Sequence, residues 1–184
     1  MLDETQRKRL LQIARDSIAA VLDGRRPELD ESDIDEVLKK PAGAFVTLKT
    51  KDDDLRGCIG SIQAVAPLFQ AVSISAVNAA FRDPRFNPLS KHELDDLVLE
   101  ISVMGPIEPL RSIDDIVVGR DGLIVTRGRN AGLLLPQVAS EYGWTIDEFL
   151  QHTCIKAGLP PAAWRDAHTR IEFFSAEVFG ESTT

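Results

Sequence analysis

Apolar positions alternate between two periods along this chain. At the start, Leu10, Leu11, Ala14, Ile18, Val21 and Leu22 recur at helical spacing, which predicts a helix from about Asp3 to Leu22. Gly24 and Pro27 end it. After an acidic loop, Ser32 and Asp35 stand in a capping-box-like spacing and predict a short helix to Lys39, before Pro41 and Gly43 break the chain. The pattern then turns to strand. Ala44 to Lys49 carries the strand formers Phe45, Val46 and Thr47. Asp52 to Asp54 reads as a turn, so the segment opening at Leu55 returns as the second arm of an antiparallel hairpin.

Pro67 opens the next predicted helix, which runs to about Phe81. Its small residues Ala71, Ser75 and Ala79 permit close packing on a sheet. Asp83-Pro84 and Asn87-Pro88 then impose a rigid, non-helical excursion. From Leu97 to Met104 two sets alternate, Val98, Glu100, Ser102 and Met104 against Leu97, Leu99, Ile101 and Val103. Gly122 to Thr126 is a further predicted strand, with Leu133 to Leu135 its hairpin partner across the polar turn at Arg127 to Asn130. Helices follow from Pro136 to Tyr142 and from Thr145 to Ala157, the second with Thr145 and Glu148 in capping-box spacing and Gly158 as its stop. Arg170 to Phe179 is the closing strand. Hairpin-linked strands among helices predict an α+β fold, a largely antiparallel sheet with helices packed against it.

At 184 residues the expectation is one domain over 1–184 with a sizeable core. A net charge of −8 argues against general nucleic-acid binding, which rests on neutralising phosphates. The basic triplet Arg7, Lys8 and Arg9 reads as a solvated helix face. Two cysteines far apart, Cys58 and Cys154, give neither a disulfide framework nor a zinc pattern. A cytoplasmic location is expected, since Met1 to Glu4 begins no apolar signal region and no run approaches a membrane span.

The string Leu55-Arg56-Gly57-Cys58-Ile59-Gly60-Ser61 carries the most information. Glycines inside a strand weaken it unless something comes close to the backbone. Alternation places Arg56, Cys58, Gly60 and Ile62 on one face, and Leu55, Gly57, Ile59 and Ser61 on the other. A guanidinium two residues from a thiol favours the thiolate modestly. A purely structural account stands beside this one: a half-buried strand whose cysteine is a small hydrophobe and whose glycines mark a crowded crossing.

Arg82-Asp83-Pro84-Arg85-Phe86 offers two arginines on a stiff loop, suited to gripping a carboxylate or phosphate. The alternative is an ion pair in which Asp83 caps a turn and orients one arginine. Glu100, mid-strand, needs a partner such as Arg56 or Arg82 if it faces inward, and none if its face is solvated. A Cys–His pair requires the fold to bring His92, His152 or His168 to Cys58. His152 and Cys154 sit two apart on a predicted helix and point apart, and HExxH is missing, so no metal site is expected; the cofactor, if any, is unknown from the sequence.

Six strings in order resemble the AMMECR family: Leu55 to Gly60, Phe81 to Phe86, Gly122 to Val125, Leu133 to Ala139, Glu141 to Trp144, and Cys154 to Pro160. The resemblance runs from about Leu10 to Phe179 and implies an AMMECR-type α+β domain of unestablished activity. It also implies association with Memo-type and radical SAM proteins, because bacterial and archaeal members are known as protein A of the AmmeMemoRadiSam system. Carried to this chain, the family hallmark falls on Arg56, Gly57, Cys58, Ile59 and Gly60, with Ser61 where many relatives have threonine and Asn87 where many have proline. Two functional expectations follow. One is a partner- or ligand-binding module using Arg56 to Gly60 with Arg82, Asp83 and Arg85. The other is an enzyme with Cys58 as nucleophile, Arg56 stabilising its thiolate, and Glu100 or a histidine moving protons.

Overall fold

Asp3 opens the first helix with a capping box. Its carboxylate accepts from the Gln6 amide, and the Gln6 side chain accepts from the Asp3 amide. The helix, α1 (Glu4–Leu22), buries Leu10, Ile13, Ala14 and Ile18 on one face. These details come from a computed structural model that describes residues 1–181. The chain divides into two compact units, Met1–Met104 with the residues from Glu177 onward, and Gly105–Ala176.

In the first unit, β1 (Ala44–Thr50) and β2 (Leu55–Ser61) form the expected antiparallel hairpin. The register pairs Val46 with Ile59, Thr47 with Cys58 and Leu48 with Gly57. On the other side of β1, β3 (Leu97–Met104) pairs Ile101 with Val46, Glu100 with Thr47 and Leu99 with Leu48. The order β2-β1-β3 leaves β2 at the edge. Alternation sends Val46, Leu48, Leu99 and Ile101 into a core completed by α1 and α2 (Leu68–Phe81). Ser75 packs on the sheet as anticipated, donating to the Ala44 carbonyl at 3.2 Å, while the Ser73 hydroxyl meets that of Ser17 in α1 at 2.7 Å.

The helix expected over Ser32 to Lys39 does not form. Only a single 3₁₀ turn, Glu31–Asp33, is present. Asp30 accepts from both the amide and the hydroxyl of Ser32, and Asp35 accepts from the Val37 amide. These local side-chain bonds give the backbone an alternative to the helix. Ile34 and Leu38 still reach the core.

The second unit holds β4 (Glu108–Pro109), β5 (Asp121–Arg127), β6 (Asn130–Leu134), α3 (Pro136–Glu141), α4 (Ile146–Lys156) and most of β7 (Arg170–Gly180). Strand β5 lies between β6 and β7, antiparallel to both. The two-residue β4, which pairs with β7, is too short to leave a periodic signal in the sequence. Thr145 and Glu148 form the anticipated capping box on α4. Leu123, Phe149 and Leu150 centre the core, and Val125, Cys154 and Ala163 continue it. Burial pushes the Cys154 thiol up.

The end of β7 belongs to the first unit. There the Glu181 amide donates to the Leu99 carbonyl, and the Glu181 carboxylate takes Arg15 of α1 through Nε at 2.8 Å and Nη2 at 2.6 Å. Glu177 likewise holds Arg7 and the Leu2 amide. Helices on a largely antiparallel set of strands make the fold α+β.

Candidate functional site

From Gly57 to Gly60 the faces of β2 divide as the alternation predicts, but a register shift between Leu48 and Lys49 pairs Leu55 with Lys49 and puts it on the Cys58 face, not with Gly57. Gly57 lies on the helix side, where a Cβ would collide with the Ala79 carbonyl of α2. A Cβ on Gly60 would collide with the Ala44 carbonyl and with Phe45, whose ring lies against that glycine. What comes close to the backbone at both glycines is the fold itself: α2 at one and β1 at the other. Ile59, partly buried, packs against the core on the helix side. With Gly60 it also lines an apolar groove that includes Val65, Ala66, Ala71 and Ile74.

Cys58 is half-buried on the face away from the helices, and its Sγ accepts from the Thr47 hydroxyl at 3.3 Å. Thr47 stands between two residues singled out by the sequence, paired with Cys58 on one side and Glu100 on the other. Two strand spacings put the Cys58 and Glu100 backbones about 10 Å apart. Glu100 takes Lys49 at 3.5 Å as its cation, not Arg56 or Arg82. Lys49 is its nearest choice because it sits two residues from Thr47 on the same face of β1.

Arg56 is committed elsewhere. Its Nε donates to Glu93 at 2.7 Å, its Nη2 donates to the Asn87 carbonyl at 3.0 Å, and its guanidinium lies 5.7 Å from the Phe86 ring centre. The Arg56 guanidinium beside Glu93, with the Ser90 amide and hydroxyl, pulls the Glu93 carboxyl down to about 2. Arg56 therefore ties the edge strand to the loop that follows α2.

Asp83 makes the second tie. Its side chain is 1 % exposed and accepts from the Cys58 amide at 2.9 Å. It also takes Arg85 as a fork, Nε at 2.9 Å and Nη2 at 2.7 Å, and accepts from the Arg85 amide. Arg85 Nη2 reaches the Cys58 carbonyl at 3.4 Å. The outward backbone groups of Cys58 are thus occupied, the N–H by a carboxylate and the C=O by a guanidinium. Arg85 holds the Asp83 carboxyl far below the usual carboxylate range, with the two backbone amides adding to the effect against the cost of burial. The ion-pair account of this loop holds: the Asp83 carbonyl also accepts from the Phe86 amide, closing a turn.

Arg82 is exposed; its amide closes the end of α2 on the Asn78 carbonyl, and no hydrogen bond or ion pair engages its side chain among the described residues. The two cations brought together are Arg56 and Arg85, on either side of Phe86 at 5.7 and 5.5 Å. Sequence reasoning had Phe86 in the Arg82–Phe86 string but missed Thr47, Asn87 and Glu93. The hairpin held part of the signal for Thr47: a turn over Asp52 to Asp54 brings this part of β1 beside Cys58, but the register shift between Leu48 and Lys49 is what sets Thr47 opposite it. Nothing local signals that Glu93 reaches Arg56, 37 residues away. Among the histidines, His152 stacks on Trp144 with ring centres 4.0 Å apart. Among the described residues no hydrogen bond joins a histidine to Cys58, and no group of three or more His, Cys, Asp and Glu is arranged to hold a metal.

Fold and site together define an α+β protein with a hairpin-borne Arg-Gly-Cys-Ile-Gly strand clamped along its edge by a proline-stiffened acidic–basic loop. The chain belongs to the AMMECR1 family, whose model matches residues 11–179. It is 43% identical over 178 residues to a protein of Nanoarchaeum equitans, covering 94% of this chain and 98% of that one. A protein of Methanothermobacter thermautotrophicus is 46% identical, with 98% and 96% of the two chains covered. The crystal structure of an uncharacterized protein from Pyrococcus horikoshii is similar with a TM-score of 0.88 and 41% identity, over 98% of this chain and 94% of that one.

Proposed function

We propose that this AMMECR1 domain is a cytoplasmic partner- or ligand-binding module. Its recognition surface is the Arg56–Gly60 strand together with the loop from Arg82 to Pro88. The observation that carries this reading is the buried Asp83, which joins the Cys58 amide to the Arg85 guanidinium and makes strand and loop one rigid surface. A preorganised surface loses little entropy when a partner docks. The family association points to Memo-type and radical SAM proteins as those partners. Titration calorimetry with each purified protein tests the reading. Binding that weakens about tenfold in Phe86→Ala, with unfolding midpoint preserved, supports it. If neither protein binds, the partner assignment is wrong.

A cysteine-dependent enzyme is the second reading, favoured by one observation: the half-buried Cys58 sulfur accepts from the Thr47 hydroxyl. In this reading Arg56 acts on the thiol only through its charge, since its hydrogen bonds go to Glu93 and Asn87. Glu100 needs an intermediary to exchange a proton with Cys58, and Thr47 is the residue between them. Cys58→Ala that keeps its fold and its full function in cells would remove this reading.

A further inference from the structure

A pocket of about 400 Å³ opens beside the clamp, lined by Arg56, Arg85, Phe86, Asn87, Pro88 and Glu93. Each of its two guanidiniums spends Nε and Nη2 on the protein. That leaves Nη1 on both. Arg56 Nη1 is buried and has no hydrogen-bond partner, whereas buried donors are ordinarily paired. The Arg85 side chain is half exposed, so its remaining edge is accessible. Between the two lies the Phe86 ring, and Pro88 adds a second apolar wall.

We propose that this pocket binds a carboxylate carried on an apolar stem, with the exposed Nη1 edge of Arg85 as donor, the Arg56 guanidinium contributing charge from behind, and Phe86 and Pro88 against the stem. The inference rests on reading this surface as a binding site and names the ligand's chemistry. Charge selects a carboxylate over a phosphate. Asp83 and Glu93 already balance the two arginines, so a dianion meets two fixed carboxylates within the same cluster. A single negative charge against the exposed edge of Arg85, with an apolar contact beside it, suits the site better. Such a group occurs on a small organic acid and at the C-terminus of a peptide.

Titration of the full chain with butyrate, followed by amide NMR at constant ionic strength, tests the proposal. Saturable shifts at Arg56, Arg85, Phe86 and Asn87, missing with the neutral isostere butyramide, are expected. Inorganic phosphate is expected to bind several-fold more weakly. An N-acetylated peptide with a free C-terminus that binds more tightly than butyrate identifies a protein terminus as the source. Equal or weaker binding than butyrate identifies a small acid, and both results support the pocket. Because Arg85→Gln strips the buried Asp83 of its cation, Asn87→Asp is the cleaner variant: the main-chain carbonyl that meets Arg56 stays, and the added charge at the pocket weakens butyrate several-fold. Arg26→Gln, away from the pocket, leaves binding unchanged. No saturable shift in the wild type, equal shifts with butyramide, or an Asn87→Asp variant that binds as tightly as wild type overturns the proposal. If butyrate binds while neither the Memo-type nor the radical SAM protein does, the partner assignment falls and the pocket stands.

Discussion

At the scale of single residues, Asp83 is the most consequential side chain. A carboxylate that is 1 % exposed survives in a core only with charge-assisted partners, and this one accepts from the Cys58 amide, the Arg85 amide and the Arg85 guanidinium. Asp83→Asn removes the charge and leaves Arg85 without its counter-ion, and is expected to cost about 2–3 kcal/mol in urea unfolding. The pH dependence has a fixed sign. Because the folded-state carboxyl lies below its unfolded value, its contribution is fully present above the usual aspartate range near about 4 and is lost as pH falls from there. Glu93, held down to about 2 chiefly by Arg56, adds in the same direction. Wild-type stability should therefore drop between about pH 4 and pH 2, and more steeply than that of Asp83→Asn. Equal slopes in acid unfolding would show that the clamp does not store this free energy. The two thiols separate on burial alone. Cys58 is expected to alkylate in the folded protein while Cys154, 0% exposed, reacts only on unfolding, as mass spectrometry of partially labelled protein would read.

At the scale of elements, the packing of α2 on the hairpin turns on one missing side chain. Gly57→Ala places a methyl against the Ala79 carbonyl, and the helix backbone is not a flexible neighbour that gives way. The expected cost is about 1–3 kcal/mol, read as a lowered thermal midpoint. Gly128→Ala is the useful comparison. Its strain comes only from a φ of +61°, with open space around it, and is expected to cost about 1 kcal/mol. The same elements show what the sequence disclosed. A period of 3.6 located α1 and a period of 2 located β3, because each buries one face and so repeats apolar residues on it; α2 and α4 were legible from Pro67 and from the Thr145 cap, and β1 and β2 from strand formers and the turn between them. The 32–39 segment misled because a capping spacing counts for nothing when Asp30 and Asp35 bond their own neighbours. At the site, the glycines announced a close approach, but the sequence could not say that α2 and β1, and not a ligand, make it. Arg82 and Arg85 looked equivalent in the string, and only the turn at Asp83 decides that Arg85 folds back and Arg82 does not. The Arg56–Glu93 pair is a tertiary contact with no local pattern behind it.

At the scale of the whole chain, no helix of the described residues is long and apolar enough to cross a membrane. The first unit is discontinuous: its core draws on Met1–Met104, yet Glu177 and Glu181 supply the carboxylates that hold Arg7 and Arg15 of α1. Glu181→Ala deletes a fork on Arg15 and the acceptor of the Leu99 amide, and is expected to cost about 1.5–3 kcal/mol. Hydrogen exchange should place the loss in α1 and β3 and spare β5 and β6. Uniform loss of protection across all four would mean that the two units do not unfold separately.

That discontinuity sets an order of events during synthesis. A ribosome delivers α1, α2 and the β1–β3 sheet early, then must translate the whole of the second unit before the end of β7 arrives. Until then the outer edge of β3 has no neighbouring strand and Arg15 has no carboxylate fork. The nascent first unit waits with an open sheet edge, the condition in which chains pair with the wrong partner. In this molecule the second unit is made while the first stays unfinished, and the end of β7, made after it, is the strand that completes the first.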